Sequence, residues 1–297
     1  MGQKSMRWAD GFIAVDWGTT NRRAWRLDGD GCRGSEFDDS KGVLSVPAGG
    51  FPAAVAEIRD RLGDLPLLLA GMIGSNRGWS EAPYVSCPAG IDDLVRGLTW
   101  PGTREAIVPG VSFVGDGRAD VMRGEEVQLL GAVAARLADP DGLVCHPGTH
   151  NKWVAMDGGR IARFRTIMTG EIFSLLKGHS ILADLMQGEV ADNAAFRAAV
   201  RHSLDQDAVP ADLFAVRAKV LLGLARREDA ASWVSGLLIG ADVKAGLAGH
   251  RGLVTVIGRP DLTRLYAAAI TEAGGTAVER DGEQCFLAGI EEIAKRI

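Results

Sequence analysis

One apolar stretch near the start of the chain, which ends in a polar turn, limits the possible folds more than any other feature. Residues 12–15 are apolar and partly β-branched, and this pattern predicts a buried strand. A carboxylate, a glycine and two hydroxyls follow, and the alternation over Arg23–Leu27 predicts a second strand that runs back. Asp28–Gly31 supplies the next turn. This order of strand, Gly-Thr turn and strand suits a hairpin that binds phosphate.

The turn contains the residue types that a phosphate and its counterion need. Gly18 lets the backbone turn tightly and approach a ligand. Thr19, Thr20 and the neighbouring amides can donate hydrogen bonds to phosphate oxygens. Asp16, at the end of the strand, can hold a hydrated magnesium ion. The alternative is an ordinary hairpin in which the Gly and Thr residues serve the turn geometry alone.

The composition argues against several classes of protein. The 297 residues carry a net charge of -5, which argues against nucleic acid as a partner, because phosphate backbones select basic faces. The four cysteines lack Cys-x-x-Cys spacing, so neither a zinc site nor a disulfide framework is indicated. Residues 1–11 read as a short polar lead-in without a targeting signal, and no apolar run reaches the length of a membrane span. We therefore expect a cytoplasmic protein with no membrane contact.

The pattern after the hairpin predicts a crossover to a parallel strand. A strand is predicted over Val43–Val46 and a helix over Phe51–Leu62. The apolar run Leu65–Gly74 is typical of a central parallel strand, and Asn76 and Arg77 follow it. Because ligands of open α/β sheets bind at the carboxyl ends of strands, these two residues are candidates for ligand binding. The alternative is that Asn76 and Arg77 only form a turn and present a solvated charge.

Two adjacent carboxylates begin the next helical pattern. Arg123 and Gly124 precede it, so Glu125 and Glu126 fall in its first turn. The helix dipole favours carboxylates there, and this alone could explain them. A catalytic role rests on their position after the sheet, near the proposed phosphate site. Residues 139–142 are the predicted boundary between two lobes.

The second half opens with the same pattern as the first. Residues 143–156 read as strand, Gly-Thr turn and strand, with Gly148 and Thr149 in the turn and Lys152 as a cation beyond it. Two such hairpins indicate an internal duplication, in which two lobes close on one nucleotide phosphate chain. His146 and His150 could ligate a metal, although structural or surface histidines are commoner.

The rest of the chain reads as scaffold with one exception. Helices are predicted over residues 168–182, 194–204, 211–226 and 229–246. A buried strand over Gly252–Gly258 then ends in a glycine, and a helix follows to Ile270. Since a glycine between a parallel strand and a helix lets a flat ligand approach the backbone, Gly258 is the predicted contact for adenine.

Several motifs in this order resemble those of the 2-keto-3-deoxygalactonokinase family. They lie at Asp16–Trp25, Gly71–Asn76, Met122–Glu126, Pro147–Trp153 and Thr166–Glu171. The resemblance runs from about residue 12 to the end, with small local departures around Cys145–Lys152 from the family's usual Cys-Pro-Gly-Thr-His-Ser-Lys pattern. It implies the α/β actin-like ATPase fold, in which two ribonuclease-H-like lobes with mixed sheets, flanked by helices, enclose a cleft.

The resemblance also implies an organisation and an activity. The first lobe, residues 1–140, would hold the first hairpin and the sugar-acid site. The second, residues 141–297, would hold the second hairpin and the adenosine site, with the last helix free to pack back on the first lobe. The implied reaction is ATP- and Mg2+-dependent phosphorylation of 2-keto-3-deoxygalactonate to its 6-phosphate in galactonate catabolism, and a homodimer is compatible with it.

The implied roles follow from phosphoryl-transfer chemistry, which is mainly positioning and charge neutralisation. Asp16 would organise magnesium, and a carboxylate, Glu126 or Glu125 with Asp16 as the rival, would accept the substrate proton. The residues that would grip the phosphates and the adenosine are Gly18, Thr19, Thr20, Gly148, Thr149, Lys152 and Gly258. The candidates for the sugar acid are Asn21, Arg22, Asn76, Arg77 and Arg123.

Two other functions remain compatible with the same residues. One is a phosphohydrolase of the same superfamily, in which the glutamate near position 126 activates water. The other is a non-catalytic, ATP-binding protein of the actin-like type. Product analysis separates the first from a kinase, and absence of filaments with ATP would weaken the second.

Overall fold

The computed structural model describes residues 7–29 and 31–297, and these divide into two compact units. Unit 1 comprises Met1–Pro140, Asp157–Arg163 and Glu283–Ile297, and unit 2 comprises Asp141–Met156 and Phe164–Gly282. The predicted polar lead-in and the predicted turn at residues 28–31 fall partly on residues 1–6 and 30, which lie outside the described residues.

Unit 1 is built on a mixed sheet with helices. Its strands are β1 Phe12–Trp17, β2 Arg22–Leu27, β3 Arg33–Asp39, β4 Leu67–Gly71, β5 Tyr84–Ser86, β6 Glu105–Ile107, β7 Gly110–Gly115 and β8 Arg118–Met122. Its first three helices are α1 Phe51–Leu62, α2 Ile91–Arg96 and α3 Glu125–Ala134. The main sheet has the order β3-β2-β1-β4-β6, and a smaller sheet has the order β5-β7-β8. In the main sheet β2 is antiparallel to β1, whereas β4 is parallel to it.

Unit 2 repeats the arrangement of the main sheet. Its sheet contains β9 Leu143–His146, β10 Asn151–Asp157, β11 Arg160–Ile167, β12 Leu253–Gly258 and β13 Thr276–Asp281, in the order β11-β10-β9-β12-β13. The first half of β11, through Arg163, is grouped with unit 1. The helices are α4 Thr169–His179, α5 Ala194–Asp205, α6 Val209–Leu221, α7 Ala230–Leu247 and α8 Pro260–Glu272. The last helix, α9 Gly282–Ala294, belongs to unit 1 from Glu283 onward. As in unit 1, the strand that comes first in the chain pairs antiparallel with the next strand and parallel with the fourth: β9 is antiparallel to β10 and parallel to β12. The internal duplication inferred from the two Gly-Thr turns is therefore present as a repeated sheet topology, and the α/β prediction is confirmed.

Apolar burial explains why these segments form these elements. The β1 residues Phe12–Val15 are all buried, as an apolar central strand requires. Helix α1 buries Phe51, Val55, Ile58 and Leu62, which recur at helical spacing on one face. In unit 2, Leu265 and Ile270 of α8 likewise pack in a hydrophobic core that includes Val254 of β12. No helix within the described part of the chain is long and apolar enough to cross a membrane.

The predicted strand at Val43–Val46 is wrong. Val43–Ser45 forms a single 3-10 turn, because the backbone of this segment bonds to the first hairpin instead of to a sheet. The apolar run Leu65–Gly74 is a strand only over β4, and a 3-10 turn occupies Met72–Gly74.

The predicted end of the third scaffold helix, at residue 226, is also wrong. Helix α6 ends at Leu221, and Gly223 follows with φ of +70°, a conformation that glycine adopts without strain. The N–H of Leu224 then bonds to the carbonyl of Lys219 across the end of the helix. This is the usual glycine stop of a helix, so the apolar residues that continue the pattern do not continue the helix.

Candidate functional site

The first hairpin presents a tight, exposed turn. The N–H of Gly18 donates to the carbonyl of Asn21 at 2.9 Å, which closes the turn between β1 and β2. Thr19, Thr20 and Asn21 are all exposed at its tip. The predicted phosphate-binding residues are therefore brought together on one accessible loop.

The carbonyl side of this turn is already occupied by the 3-10 segment. Val43 N donates to Gly18 O at 3.0 Å, and Gly42 N donates to Thr20 O at 3.0 Å. A methyl group on Gly42 would overlap the carbonyl of Thr19, so only glycine permits this approach. With the carbonyls bonded, the hydroxyls and N–H groups of Thr19 and Thr20 are left to bind an anion.

Asp16 lies at the end of β1 with part of its carboxylate accessible. Its side chain is 20% exposed, and Oδ2 accepts a hydrogen bond from Arg23 Nη2 at 2.7 Å. The two residues are directly opposite each other in the β1–β2 register. Hairpin register could have predicted this pair from the sequence, and the role of Arg23 was missed.

A single carboxylate is compatible with magnesium. No group of three or more His, Cys, Asp or Glu side chains that could hold a metal occurs among residues 7–29 and 31–297. Magnesium needs no such group, since it keeps several waters and is bound through one or two carboxylates together with substrate phosphates. Asp16, beside the exposed turn, fits that requirement as a protein ligand.

Glu126 is linked to Asp16 through two closely packed glycines. A methyl group on Gly71 would lie 3.4 Å from Oδ1 of Asp16, and one on Gly124 would lie 3.3 Å from Cα of Gly71. The N–H of Gly124 in turn donates to both carboxylate oxygens of Glu126, at 2.8 and 2.7 Å. The sheet end and the first turn of α3 therefore bring the two candidate carboxylates into one neighbourhood.

The environments of the two glutamates differ. Glu126 is 0% exposed, and burial, with a smaller contribution from the charge of Glu125, raises the pKa of Glu126 to about 8. Glu125 is half-buried and accepts a hydrogen bond from Arg123 N at 3.1 Å. A carboxyl group that titrates near neutral pH is suited to exchange a proton with substrate.

Arg22 and Arg123 are engaged within the fold. Arg22 is fully buried, and its guanidinium forms two hydrogen bonds with Asp39, at 3.2 and 2.8 Å. Arg123 stacks over Tyr84 at 4.4 Å and donates to the carbonyl of Ala82 at 2.8 Å. Its Nε and Nη1 atoms are buried and have no hydrogen-bond partner among the described residues. This geometry favours a structural role for Arg22, whereas Arg123 keeps two buried donors that no described residue satisfies.

Asn76 and Arg77 instead line an open concavity. Both side chains are exposed, and the surface they border encloses about 460 Å³, within the usual range for small-molecule sites. The other lining residues are Val46, Ala48, Gly49, Phe51, Pro52, Gly78 and Trp79. Phe51 and Pro52 belong to the first turn of α1, where the helix dipole is positive. The concavity therefore combines a cation with a helix N-terminus, both of which favour an anion.

The second hairpin, in unit 2, has a comparable design. The space beside Gly148 is open, and Thr149 is exposed. The carbonyl of Thr149 accepts a hydrogen bond from Glu171 N at 3.0 Å, and a methyl group on Gly170 would overlap the carbonyl of Gly148. The start of α4 thus occupies the carbonyl side of this turn, as residues 42–44 do in unit 1.

The remaining predicted residues of unit 2 lie around this turn. Lys152 is 3% exposed, and its ammonium donates to the carbonyl of His150 at 3.2 Å. Gly258, at the end of β12, is close to the hairpin, since a methyl group there would lie 3.6 Å from the carbonyl oxygen of Pro147. His150 pairs with Glu171 at 2.5 Å.

A second residue that sequence reasoning missed is Asp242 of α7. Four buried side chains donate hydrogen bonds to its carboxylate, and two of them come from the strand that leaves the second hairpin. The signal was present in the sequence, because Asp242 is a lone acid in the otherwise uncharged run Ala230–Val243. A charge in such a run needs buried partners.

Comparison with known proteins identifies the relatives of the chain. A family model described as 2-keto-3-deoxy-galactonokinase matches residues 16–293. The chain is 38% identical over 290 residues to the 2-dehydro-3-deoxygalactonokinase of Escherichia coli (strain K12), and the match covers 96% of this chain and 98% of that protein.

Solved structures agree with the sequence comparison. A crystal structure of a candidate 2-dehydro-3-deoxygalactonokinase from Sinorhizobium meliloti has a TM-score of 0.90 at 34% identity, over 96% of this chain and 98% of that one. The activator of 2-hydroxyisocaproyl-CoA dehydratase from Clostridium difficile, with bound ADPNP, has a TM-score of 0.50 at 12% identity, over 96% and 94% of the two chains. The second likeness concerns the fold alone, and it agrees with the predicted actin-like ATPase class.

Proposed function

Because the chain belongs to the 2-keto-3-deoxygalactonokinase family, we propose that it transfers the γ-phosphoryl group of ATP to the 6-hydroxyl of 2-keto-3-deoxygalactonate, in galactonate catabolism. One observation carries the proposal. An exposed Gly-Thr turn lies beside Asp16, and Asp16 is linked through Gly71 and Gly124 to a buried glutamate whose pKa is raised to about 8. Phosphoryl transfer requires residues that bind the phosphates, a cation and a proton acceptor.

The two hairpins would grip the phosphate chain of ATP. In unit 1 the donors are the hydroxyls and N–H groups of Thr19 and Thr20, whose turn is exposed and whose carbonyls are already bonded. Gly18, whose N–H is bonded to the carbonyl of Asn21, would let the backbone approach the phosphates closely. In unit 2 the donors are Gly148 and Thr149, beside which there is open space. The charge of Lys152 would favour the phosphates, and Gly258 would leave room for the adenosine. Each unit would then be one lobe of the kinase.

Asp16 would hold magnesium, which neutralises charge on the transferring phosphoryl group when it is bound. This role is supported by the partial exposure of Asp16 at the end of β1 and by its position next to the phosphate turn. Arg23, which pairs with it at 2.7 Å, would keep the carboxylate in one orientation.

Glu126 would accept the proton of the substrate hydroxyl. Its support is the raised pKa and its position at the start of α3, joined to Asp16 through the two glycines. Glu125 is the nearest rival, since it is half-buried and adjacent. Asp16 is less suited to this role, because it is paired with a guanidinium.

The sugar acid would occupy the concavity beside Asn76 and Arg77. Its carboxylate needs a cation, and an arginine can grip a carboxylate through two parallel hydrogen bonds. Arg77 is exposed there, whereas Arg22 is committed to its pair with Asp39 and the guanidinium of Arg123 is buried against Tyr84. Asn21, exposed at the tip of the first hairpin, would be a further polar contact for the substrate.

Replacement of Arg77 tests this assignment. We expect Arg77→Ala to lower kcat/KM for the sugar acid at least about tenfold, because a charge-assisted contact with a bound anion is worth roughly 2–5 kcal/mol when the bound ligand excludes water from it. The KM for ATP should change little. Steady-state kinetics with 2-keto-3-deoxygalactonate and with an uncharged sugar analogue would measure both effects.

The matched control is Arg96→Ala, which removes another exposed arginine of unit 1 whose partner is Asp93 on the same helix. It should leave both constants near the wild-type values. Equal losses for the charged and uncharged substrates in Arg77→Ala would mean that Arg77 does not bind the carboxylate, and Arg123 would become the next candidate.

The proposed reaction itself is tested by product analysis. The purified protein, given ATP, magnesium and 2-keto-3-deoxygalactonate, should form ADP and a phosphorylated sugar acid in equal amounts. Release of inorganic phosphate without a phosphorylated sugar would support the phosphohydrolase instead. No turnover at all, with nucleotide bound, would support the non-catalytic protein.

We also propose that the protein works in the cytoplasm, where ATP is available, and as a homodimer. The homodimer is supported by a run of exposed apolar side chains at the end of α6 and just beyond it, at Leu221, Leu222 and Leu224. Clustered exposed apolar residues favour association. Sedimentation equilibrium that gives only the monomer mass would contradict this part of the proposal.

A further inference from the structure

Asp242 is a buried carboxylate to which the proposed reaction assigns no role. It lies on α7 and is 2% exposed. Both of its oxygens accept hydrogen bonds from side chains that are themselves buried. The donors are Asn151 Nδ2 at 2.8 Å to Oδ1 and 3.0 Å to Oδ2, Trp153 Nε1 at 2.7 Å to Oδ1, Tyr266 Oη at 2.7 Å to Oδ2, and Thr169 Oγ1 to Oδ2.

These donors come from three separate elements. Asn151 and Trp153 belong to β10, Thr169 is the first residue of α4, and Tyr266 lies on α8. One carboxylate thus fixes three elements relative to α7. Since a buried donor without an acceptor is costly, the three elements cannot separate without loss.

The elements tied by Asp242 are those that shape the second hairpin. Asn151 follows the Gly148–Thr149 turn by two residues. Thr169 is followed by Gly170, which packs against the carbonyl of Gly148, and by Glu171, whose N–H bonds to Thr149 O at 3.0 Å. Asp242 therefore holds both the strand that leaves the turn and the helix start that packs on it.

We propose that Asp242 is a positioning residue, which holds the second hairpin and the first turn of α4 in one arrangement so that the turn is preorganised for the phosphates of the nucleotide. This inference rests on the proposed kinase function. Preorganised donors bind an anion without a further ordering cost, whereas a loosened turn must be ordered by the ligand. Loss of the network should therefore weaken ATP binding more than it affects the sugar acid.

The test removes one donor of the Asp242 network and keeps the shape of its side chain. Thr169→Val replaces the hydroxyl that bonds to Asp242 with a methyl group of similar size. Asp242 itself stays in place, because its removal would leave four buried donors without their acceptor and threaten folding.

The matched control is Ser203→Ala. Ser203 lies on α5, is 1% exposed and donates to the carbonyl of Leu237 on α7 at 2.8 Å. Both variants thus lose one buried hydroxyl that bonds to the helix of Asp242, but only Thr169 contacts the network.

We expect Thr169→Val to raise the KM for ATP about tenfold, with kcat and the KM for the sugar acid within about twofold of wild type. Ser203→Ala should leave all three constants unchanged, although both variants should melt at lower temperature. Thr169→Ser, which restores the hydroxyl, should restore the KM for ATP. An equal change in the KM for ATP in Thr169→Val and Ser203→Ala would overturn the proposal, because it would show a structural role only.

A second measurement does not depend on activity. Amide hydrogen exchange at residues 148–152 of the nucleotide-free protein should be faster in Thr169→Val than in Ser203→Ala. Equal exchange in the two variants would overturn the positioning role even if the kinase function holds. If the wild-type protein fails to phosphorylate the sugar acid, the proposed function fails, while the exchange comparison still decides whether the network fixes the hairpin.

Discussion

Asp16→Asn is expected to reduce phosphoryl transfer at least about a hundredfold while the fold stays intact. The amide keeps the size of the side chain but loses the charge that would bind magnesium at the end of β1. A hundredfold loss corresponds to about 2.7 kcal/mol of transition-state stabilisation, which is in the range found when one electrostatic contact to a developing charge is removed. A coupled ADP assay over a magnesium titration would measure it.

The fold should tolerate this change. The pair of Asp16 with Arg23 is partly exposed, and pairs of this kind contribute about 0–1 kcal/mol to stability. The matched control is Asp28→Asn, at the other end of the same hairpin, where the carboxylate pairs with Arg26 at 3.1 Å and does not adjoin the phosphate turn. Activity of Asp16→Asn within a few-fold of wild type, with the same magnesium requirement, would contradict the assignment.

Glu126→Gln is expected to reduce kcat by a similar or larger factor and to remove the pH dependence of kcat. If Glu126 accepts the substrate proton, only its ionised form is active. Because the pKa of Glu126 is raised to about 8, kcat should rise with pH through neutrality and level off above about 8. The glutamine variant should show low activity and no such rise. Measurement of kcat between pH 6 and pH 9.5, in about half-unit steps, would test this.

Glu125→Gln serves as the control, since it alters the adjacent, half-buried carboxylate in the same helical turn. If it abolishes activity while Glu126→Gln retains it, the base is Glu125. A wild-type profile that is flat between pH 6 and pH 9 would also count against Glu126.

The raised pKa of Glu126 also predicts how the stability of the protein depends on pH. Unfolding returns the pKa of Glu126 from about 8 to its ordinary value of 4.5. Between these two pH values the folded protein holds a proton that the unfolded chain has released, so the contribution of this group to stability falls as pH rises through that window. Thermal melts of Glu126→Gln should lack this fall, and the variant should gain stability relative to wild type at pH 8.

The local sequence determined the two hairpins and most of the helices. The β1–β2 hairpin is closed by residues only a few positions apart, from Gly18 to Asn21, so its pattern is readable without the rest of the chain. The buried face of α1 follows likewise from residue spacing alone. The repetition of the Gly-Thr turn indicated the duplicated sheet topology, because the same local pattern opened each half.

Tertiary contacts decided what the local pattern left open. The segment at residues 43–46 has a strand-like sequence, yet its backbone bonds to the first hairpin and forms a 3-10 turn. Arg22 and Arg77 are the same residue type beside similar polar residues, but only the fold buries Arg22 against Asp39 and leaves Arg77 at an open surface.

Long-range burial also decided the chemistry of individual side chains. Glu125 and Glu126 are adjacent in the sequence, and their difference in burial comes from packing that the local sequence does not specify. The partners of Asp242 lie as many as 91 positions away along the chain. The sequence could mark Asp242 as an acid in an uncharged run that needs partners. It could not name them, because hydrogen bonds between distant residues depend on the completed fold.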